Sequence, residues 1–248
     1  MPTELSPGLW LLLAILAIAF VFFFFRVGDY GAKRRILAVI PDRIDFLSVK
    51  PEDFPELDFD ALRNYTEALE ALGFSFALDY TVKTDVSLGR GFARLFTHAA
   101  HLCFVEINQL FPMDERRIPM RCSFGSLLED NWDLSTGDRE PEFVSYIWIW
   151  RHPRMLWSRH PRASPAELLA KHLERRQQMI DGLHIALLTD LSPEAYFGKI
   201  RKGNAERKAV LESKSMTIIF TEMNEFRRAP KYEWLGDFAE IVRNQDSR

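Results

Sequence analysis

The sequence predicts an α+β fold in which one N-terminal transmembrane helix precedes a soluble domain. Three observations predict it: an uncharged apolar run near the start, alternation of apolar and polar residues in the first half, and helical spacing of apolar residues after Pro161. Together they indicate an antiparallel sheet of five or six strands, with one helix before it and two or three helices after it.

The apolar run from Gly8 to Phe25 is long enough to cross a bilayer. It contains no charged residue and ends at Arg26, and a rise of about 1.5 Å per residue gives a helix of roughly 27 Å. A cleaved signal peptide is disfavoured because no Lys or Arg precedes the run, and a buried core helix is disfavoured because the run lacks a polar stripe. The predicted divisions are a membrane anchor at 1–35 with its span at about 8–25, a cytoplasmic α+β domain at 36–248, a sheet part at about 36–160 and a helical part at about 161–248.

Positive residues predict which side of the membrane the domain occupies. No Lys or Arg precedes the span, whereas Arg26, Lys33, Arg34 and Arg35 follow it closely. The positive-inside rule therefore places the N-terminus outside and the C-terminal domain in the cytoplasm. The span holds no ionisable residue of the kind that marks an ion pathway, which favours a role as an anchor. The predicted localisation is that of a single-pass membrane protein.

Charge is divided unevenly along the chain. Residues 36–150 hold 10 Lys+Arg and 20 Asp+Glu, a net charge of −10, whereas residues 151–248 hold 18 and 13, a net charge of +5. A formal net charge of −3 for the whole chain is not typical of a nucleic-acid binder, so we predict no nucleic-acid partner. Two uses of the asymmetry remain open: the two parts pack against each other, or the basic part faces anionic membrane lipid.

The clearest strand pattern is at Phe74–Lys83, where apolar and polar residues alternate. Short breaks with turn residues separate the strand candidates, which favours antiparallel neighbours. Tyr146–Trp150 is apolar on both faces and is expected at the centre of the sheet. The other predicted strands are Ile36–Ile40, Ala93–Thr97, Leu102–Phe111, Pro119–Phe124, Trp132–Ser135 and Val144–Arg151.

Capping residues predict where the helices begin. Asp58 or Asp60 can cap a helix that ends at Gly73, and a capping box begins a second helix at Ser164. His172 lies on the apolar stripe of this second helix and is expected to be a hydrogen-bonded core histidine. The remaining predicted helices run from Ser192 to about Arg228, with a weak point at Gly203–Asn204, and over Tyr232–Val242.

The sequence lacks the common catalytic signatures. It contains no HExxH, GxSxG, Walker, GxGxxG or CxxC motif, so we predict no catalytic residue, no metal site and no cofactor, and a protein that is not an enzyme is favoured. Cys103 and Cys122 are expected to be buried structural thiols. His98, His101 and Glu106 could form a metal or acid–base site, and polar residues at a sheet edge are the alternative.

The stretch Trp148–Arg162 is the most suggestive part of the chain. It combines arginines and histidines with tryptophans and holds two R-H-P-R copies, at Arg151–Arg154 and Arg159–Arg162. Arginine forks beside tryptophan rings suit phosphate or carboxylate recognition, or a headgroup layer. The alternative is that the arginines pair with the acidic part while the tryptophans enter the core. The candidate partner or headgroup contacts are Arg26, Lys33, Arg34, Arg35, Arg151, His152, Arg154, Trp157, Arg159, His160 and Arg162.

Three functions are compatible with these patterns. The first is a membrane-anchored interaction domain, an accessory or assembly subunit of a bacterial-type membrane complex, with membrane lipid and other subunits as partners. The second is a membrane-tethered enzyme or an anion-binding protein that uses residues 148–162, which requires Arg151, Arg154 and Arg159 to converge on a pocket beside an acid such as Glu106 or Asp130. The third is a sensor of anionic lipid.

Overall fold

One mixed β-sheet organises the chain. The computed structural model describes residues 29–86, 90–112, 118–139, 151–229 and 231–246. Within them, eight strands pair in sequence order, and all neighbours are antiparallel except β6 and β7, which are parallel. The strands are β1 (Ile44–Ser48), β2 (Ser75–Thr84), β3 (Arg90–His98), β4 (Cys103–Phe111), β5 (Arg121–Leu127), β6 (Asp133–Gly137), β7 (Met155–Arg159) and β8 (Glu233–Trp234).

Helices cover both faces of this sheet. Alternation along β4 separates the two faces, because Val105 packs in the cluster with α2 and α3 while Phe104 packs in the cluster with α4. Phe238 of α6 lies on the α3 side with Leu156, whereas Phe226 of α5 lies on the α4 side. The result is a helix–sheet–helix sandwich. The described helices are α1 (29–37), α2 (Phe59–Ala71), α3 (Pro165–Leu183), α4 (Pro193–Ser213), α5 (Met216–Arg228) and α6 (Phe238–Asp246).

Most locally encoded elements are confirmed. The alternating segment predicted at Phe74–Lys83 is β2, and the strands predicted from Ala93, Leu102, Pro119 and Trp132 correspond to β3, β4, β5 and β6. The capping box at Ser164 begins α3, since the Ser164 side chain accepts from the Glu167 N–H and the Glu167 side chain accepts in return. The predicted strand at Val144–Arg151 and its central part Tyr146–Trp150 lie outside the described residues, apart from Arg151.

The predicted sheet of five or six antiparallel strands is wrong in number and in direction. The missed strands β1, β7 and β8 are short, and β8 has only two residues, so none carries enough alternation to be found locally. β7 pairs with β6 in parallel, and the stretch of sequence between Gly137 and Met155 is long enough for the crossover that parallel neighbours need.

One strand assignment and one helix assignment also need correction. Ile36–Ile40 is not a strand, because the chain is helical to residue 37. Ile36, Leu37 and Ile40 pack against Met216 and Ile219. The spacing of these three apolar residues is that of one helix face. The helix expected from Ser192 to Arg228 is two helices, α4 and α5, which meet at Ser215 because the Ser215 hydroxyl caps α5.

No helix among residues 29–246, as far as they are described, is long and apolar enough to cross a membrane. This finding corrects the predicted fold class with its transmembrane helix, the single-pass localisation, and the function as a membrane-anchored subunit, tethered enzyme or lipid sensor. Those predictions depend on hydropathy alone, which measures apolar length and not tertiary context. The run at 8–25 and Arg26 lie outside the described residues.

Candidate functional site

The predicted arginines do not converge on one pocket. Arg151 is buried and lies between the rings of Phe226 and Trp234, with its Cζ 5.7 and 5.0 Å from the two ring centroids. Arg154 is exposed and its Nη1 donates to the Asp130 carbonyl at 2.7 Å. Arg159 lies over the ring of Trp157, with Cζ 5.3 Å from the centroid. Only Arg159 lies in β7, whereas Arg151 and Arg154 precede the strand, and the three side chains reach three different environments.

The other predicted contacts are placed as follows. Both ring nitrogens of His152 are engaged, since Nδ1 accepts from the Arg154 N–H at 3.1 Å and Nε2 lies 3.3 Å from Glu206 Oε2. Trp157 is buried. Lys33 Nζ donates to the carbonyl oxygen of Lys214 at 2.8 Å, at the C-terminal end of α4, where a cation is favourable. Arg34 and Arg35 are exposed on α1.

His160 and Arg162, together with Arg159, line one cleft where β7 leaves the sheet beside α3. We call it the cationic cleft; it has a volume of about 620 Å³. Arg162 adopts a left-handed backbone with φ 66°, which turns the chain at this point. The lining residues are Ser158, Arg159, His160, Pro161, Arg162, Ala163, Glu167, Lys171, Tyr232 and Glu233.

The acids of the cationic cleft are already engaged. Glu167 Oε2 accepts from the backbone N–H and the hydroxyl of Ser164, both at 2.8 Å, and Glu233 Oε2 accepts from Arg175 Nη2 at 3.1 Å. Burial lowers the pKa of His160, and the positive charge of Lys171 lowers it further, against the charge of Glu233. The lining keeps one more cation than carboxylates, because it holds Arg159, Arg162 and Lys171 beside Glu167 and Glu233.

A second cleft, between residues 41–45 and α4, does not have this excess of positive charge in its lining. It has a volume of about 530 Å³ and holds as many cations as the first. Here the charges are paired: Arg43 lies 2.8 Å from Asp45 of the same segment, and Lys208 of α4 contacts Asp42 across the cleft. Arg201 is held by the Ile44 carbonyl at 3.1 Å. The pairing leaves this cleft less suited to an anionic ligand than the cationic cleft.

A buried chain of hydroxyls and imidazoles supports the floor of the cationic cleft. His160 Nε2 lies 3.2 Å from Ser158 Oγ, which donates to Thr136 Oγ1 at 3.4 Å. His172 continues the chain, with Nδ1 3.1 Å from Thr136 Oγ1 and Nε2 2.8 Å from Ser126 Oγ. The prediction of a hydrogen-bonded core histidine at His172 is confirmed. Burial lowers the pKa of His172 to about 3, so the ring is neutral.

Glu106 is a structural carboxylate on the opposite face of the sheet. It accepts hydrogen bonds from the hydroxyls of Tyr80 and Tyr196, the latter at 3.0 Å, and from Asn108 Nδ2 at 2.6 Å. Burial first, and then the charge of Glu106, raises the pKa of both tyrosines. The carboxylate thereby joins β2, β4 and α4 rather than facing a cleft.

The suggested metal or acid–base site does not form. His98 Nδ1 accepts from the His101 N–H at 3.1 Å at the end of β3, whereas Glu106 faces α4. No group of three or more His, Cys, Asp or Glu within the described ranges is placed to hold a metal ion. Cys103 and Cys122 are buried free thiols on neighbouring strands, as predicted, and burial raises the pKa of both.

A polar network beneath α4 was not foreseen from the sequence. Lys199 Nζ lies 3.5 Å from Asp133 Oδ2, and Asn131 Nδ2 donates to Glu206 Oε1 at 2.5 Å. Burial raises the pKa of Asp133 to about 6, against the effect of Lys199. Asp130 and Asn131 both have positive φ, at 53° and 69°, and this turn brings Asn131 to Glu206 of α4. The network ties α4 to the start of β6.

Comparison with known proteins gives no assignment. No protein-family model matches the chain, and no curated protein or solved structure shows significant similarity to it. Any functional conclusion therefore depends on the chemistry of the clefts themselves.

Proposed function

We propose that this chain is a binding protein whose cationic cleft holds the anionic group, phosphate or carboxylate, of a small ligand. The observation that carries the proposal is the charge of the cleft lining, in which the cations Arg159, Arg162 and Lys171 outnumber the carboxylates Glu167 and Glu233. Such an imbalance favours an anion in the cleft over water alone.

The composition of the cleft suits a phosphate or carboxylate. Arg162 offers a planar fork that matches two oxygens of either group, and Lys171 offers a compact charge. Tyr232, which is 53% exposed, lines the same cleft and gives an apolar ring for the body of the ligand. The cleft is large enough for an anionic group attached to a small organic ligand.

Two arms of one titration test the proposal. We expect inorganic phosphate or acetate to bind the full-length protein in calorimetry at low ionic strength, with affinity that falls as salt rises, because the lining cations are exposed to screening. The tighter of the two probes identifies the preferred oxyanion.

Paired variants assign the binding to the cleft. We expect Arg162→Ala with Lys171→Ala to weaken binding at least about tenfold, since each removes a charge that contacts the anion. The matched control is Arg63→Ala with Lys202→Ala, which removes the same charge from exposed positions outside the cleft and should bind as the unmodified protein does. Equal weakening by both pairs would reduce the effect to net charge and contradict the proposal.

A further inference from the structure

The buried guanidinium of Arg151, just before β7, lies beside the rings of Phe226 and Trp234. The residue is 6% exposed, and its Nε and Nη2 are closed to solvent and have no hydrogen-bond partner among the described residues. Trp157 is 4% exposed, and its Nε1 likewise has no partner in the described part of the chain. Buried N–H groups without acceptors are rare in folded proteins, because each loses its hydration without compensation.

The geometry of Arg151 specifies what could approach it. Phe226 and Trp234 lie near the guanidinium, at 5.7 and 5.0 Å from Cζ to the ring centroids, and occupy its surroundings as aromatic walls. Nε and Nη2 are the two nitrogens of one guanidinium edge, which is the edge that binds both oxygens of a carboxylate. A flat carboxylate can therefore meet this edge while its body lies among the rings.

The charges around Arg151 do not supply the acceptor. Burial lowers the pKa of Arg151, and Glu222 and Glu225 of α5 oppose this effect through their charge. Glu222 is engaged elsewhere, since its two oxygens accept from Lys214 Nζ at 2.9 and 3.0 Å. Glu225 is exposed to solvent on α5. Neither carboxylate makes a hydrogen bond to Arg151.

The walls of the site belong to peripheral elements. Phe226 lies in the last turn of α5, whose buried side chains are Met216, Ile219 and Phe226, and Trp234 lies in the two-residue strand β8. Small peripheral elements with few buried side chains are the parts of a fold that open at low free-energy cost.

We propose that Arg151, with Trp157, is the receptor for an aromatic carboxylate, which enters when α5 or β8 moves aside. The site differs from the cationic cleft, whose lining includes neither Arg151 nor Trp157.

Benzoate is the probe, tested on the full-length protein at constant ionic strength with chloride as the reference anion. We expect benzoate to raise the melting temperature saturably and to change the tryptophan fluorescence, and we expect Arg151→Met and Arg151→Lys to weaken its binding at least about tenfold, since both remove the fork. Trp157→Phe should weaken it less, because it removes one neutral donor. Arg228→Met removes an exposed arginine from α5, the helix that carries Phe226, and is the matched control.

The melting temperature of Arg151→Met, measured without benzoate, gives an independent readout. Arg151→Met should raise the melting temperature without benzoate, because an unpaired buried charge is replaced by an apolar chain of similar length. A lower melting temperature for Arg151→Met, together with an unchanged response to benzoate, would overturn the proposal. It would also be overturned if Glu225→Gln lowered the melting temperature and benzoate had no effect, since the acceptor would then be the chain's own carboxylate.

Discussion

Replacing Gly236 with alanine is expected to destabilise the protein by about 3 kcal/mol or more. Gly236 has a φ of 53°, and a Cβ there would lie 1.9 Å from the Pro153 carbonyl oxygen. The contact cannot relax easily, because the same carbonyl accepts from the Asp237 N–H at 2.8 Å and the neighbouring His152 carbonyl accepts from Trp234 Nε1 at 2.9 Å. The backbone must therefore separate β8 from β7. Urea denaturation followed by tryptophan fluorescence measures the loss.

Gly198 provides the matched control for this substitution. It lies within α4, and a Cβ there would meet no atom within 4 Å. Gly198→Ala is therefore expected to stabilise the protein by up to about 1 kcal/mol, because alanine has the higher helix propensity. If Gly236→Ala proved as stable as the unmodified protein, the close approach of residue 236 to Pro153 would be incorrect.

Replacing His172 with alanine is expected to cost about 3 to 5 kcal/mol of stability at pH 7. The ring is fully buried, so its removal leaves a cavity, and Ser126 and Thr136 each lose a partner in the interior. Denaturation of the variant beside Glu174→Ala, an exposed substitution on the same helix, measures the effect. A cost below about 1 kcal/mol would contradict the role of the ring in joining α3 to the sheet.

The cost of His172→Ala is expected to shrink as the pH falls. The folded pKa of His172 is about 3, below its ordinary value of 6.5, so the unfolded chain binds the proton between these values and the native state does not. The contribution of the neutral ring is complete above pH 6.5 and is lost progressively toward pH 3, by as much as about 4 kcal/mol. Comparing variant and unmodified protein at pH 7 and pH 4 measures this; an equal difference at both would contradict it.

The protonation of Asp133 changes the stability of the protein in the opposite direction over part of this pH range. Its pKa is raised by burial from 3.8 to about 6, so the native state holds the proton more tightly than the unfolded chain. Its effect therefore favours the folded state below about pH 4 and is lost as the pH rises through 6. The pH profile of the unmodified protein combines both groups, which is why the difference between His172→Ala and the unmodified protein, and not either profile alone, isolates the histidine.

Local sequence patterns predicted an element correctly where the residues that define it lie close together in the chain. The alternation at Phe74–Lys83 identifies β2, and the capping box at Ser164 identifies the start of α3, because both depend on residues within a few positions of each other. The buried environment of His172 also follows from its place on an apolar stripe. The missed strands β1 and β8 are instead defined by partners far away in the chain.

The candidate site could be predicted only in part. His160 and Arg162 belong to a basic segment that stands out in the sequence, whereas Lys171 and Tyr232 reach the same cleft from α3 and from the residues before β8. No local pattern connects those positions. Likewise, the sequence does not distinguish Arg151 from Arg154, although one is buried and the other is exposed on the surface.

By itself, the sequence determined the α and β content of most segments, the helix caps and the concentration of positive charge after residue 150, because each follows from local backbone preference or composition. Only the tertiary structure decided that eight strands form one mixed sheet and which arginines face a cleft, a carbonyl or an aromatic cluster. The physical reason is that strand pairing and the burial of a charge depend on free energies contributed by residues distant in the chain, which no local window contains.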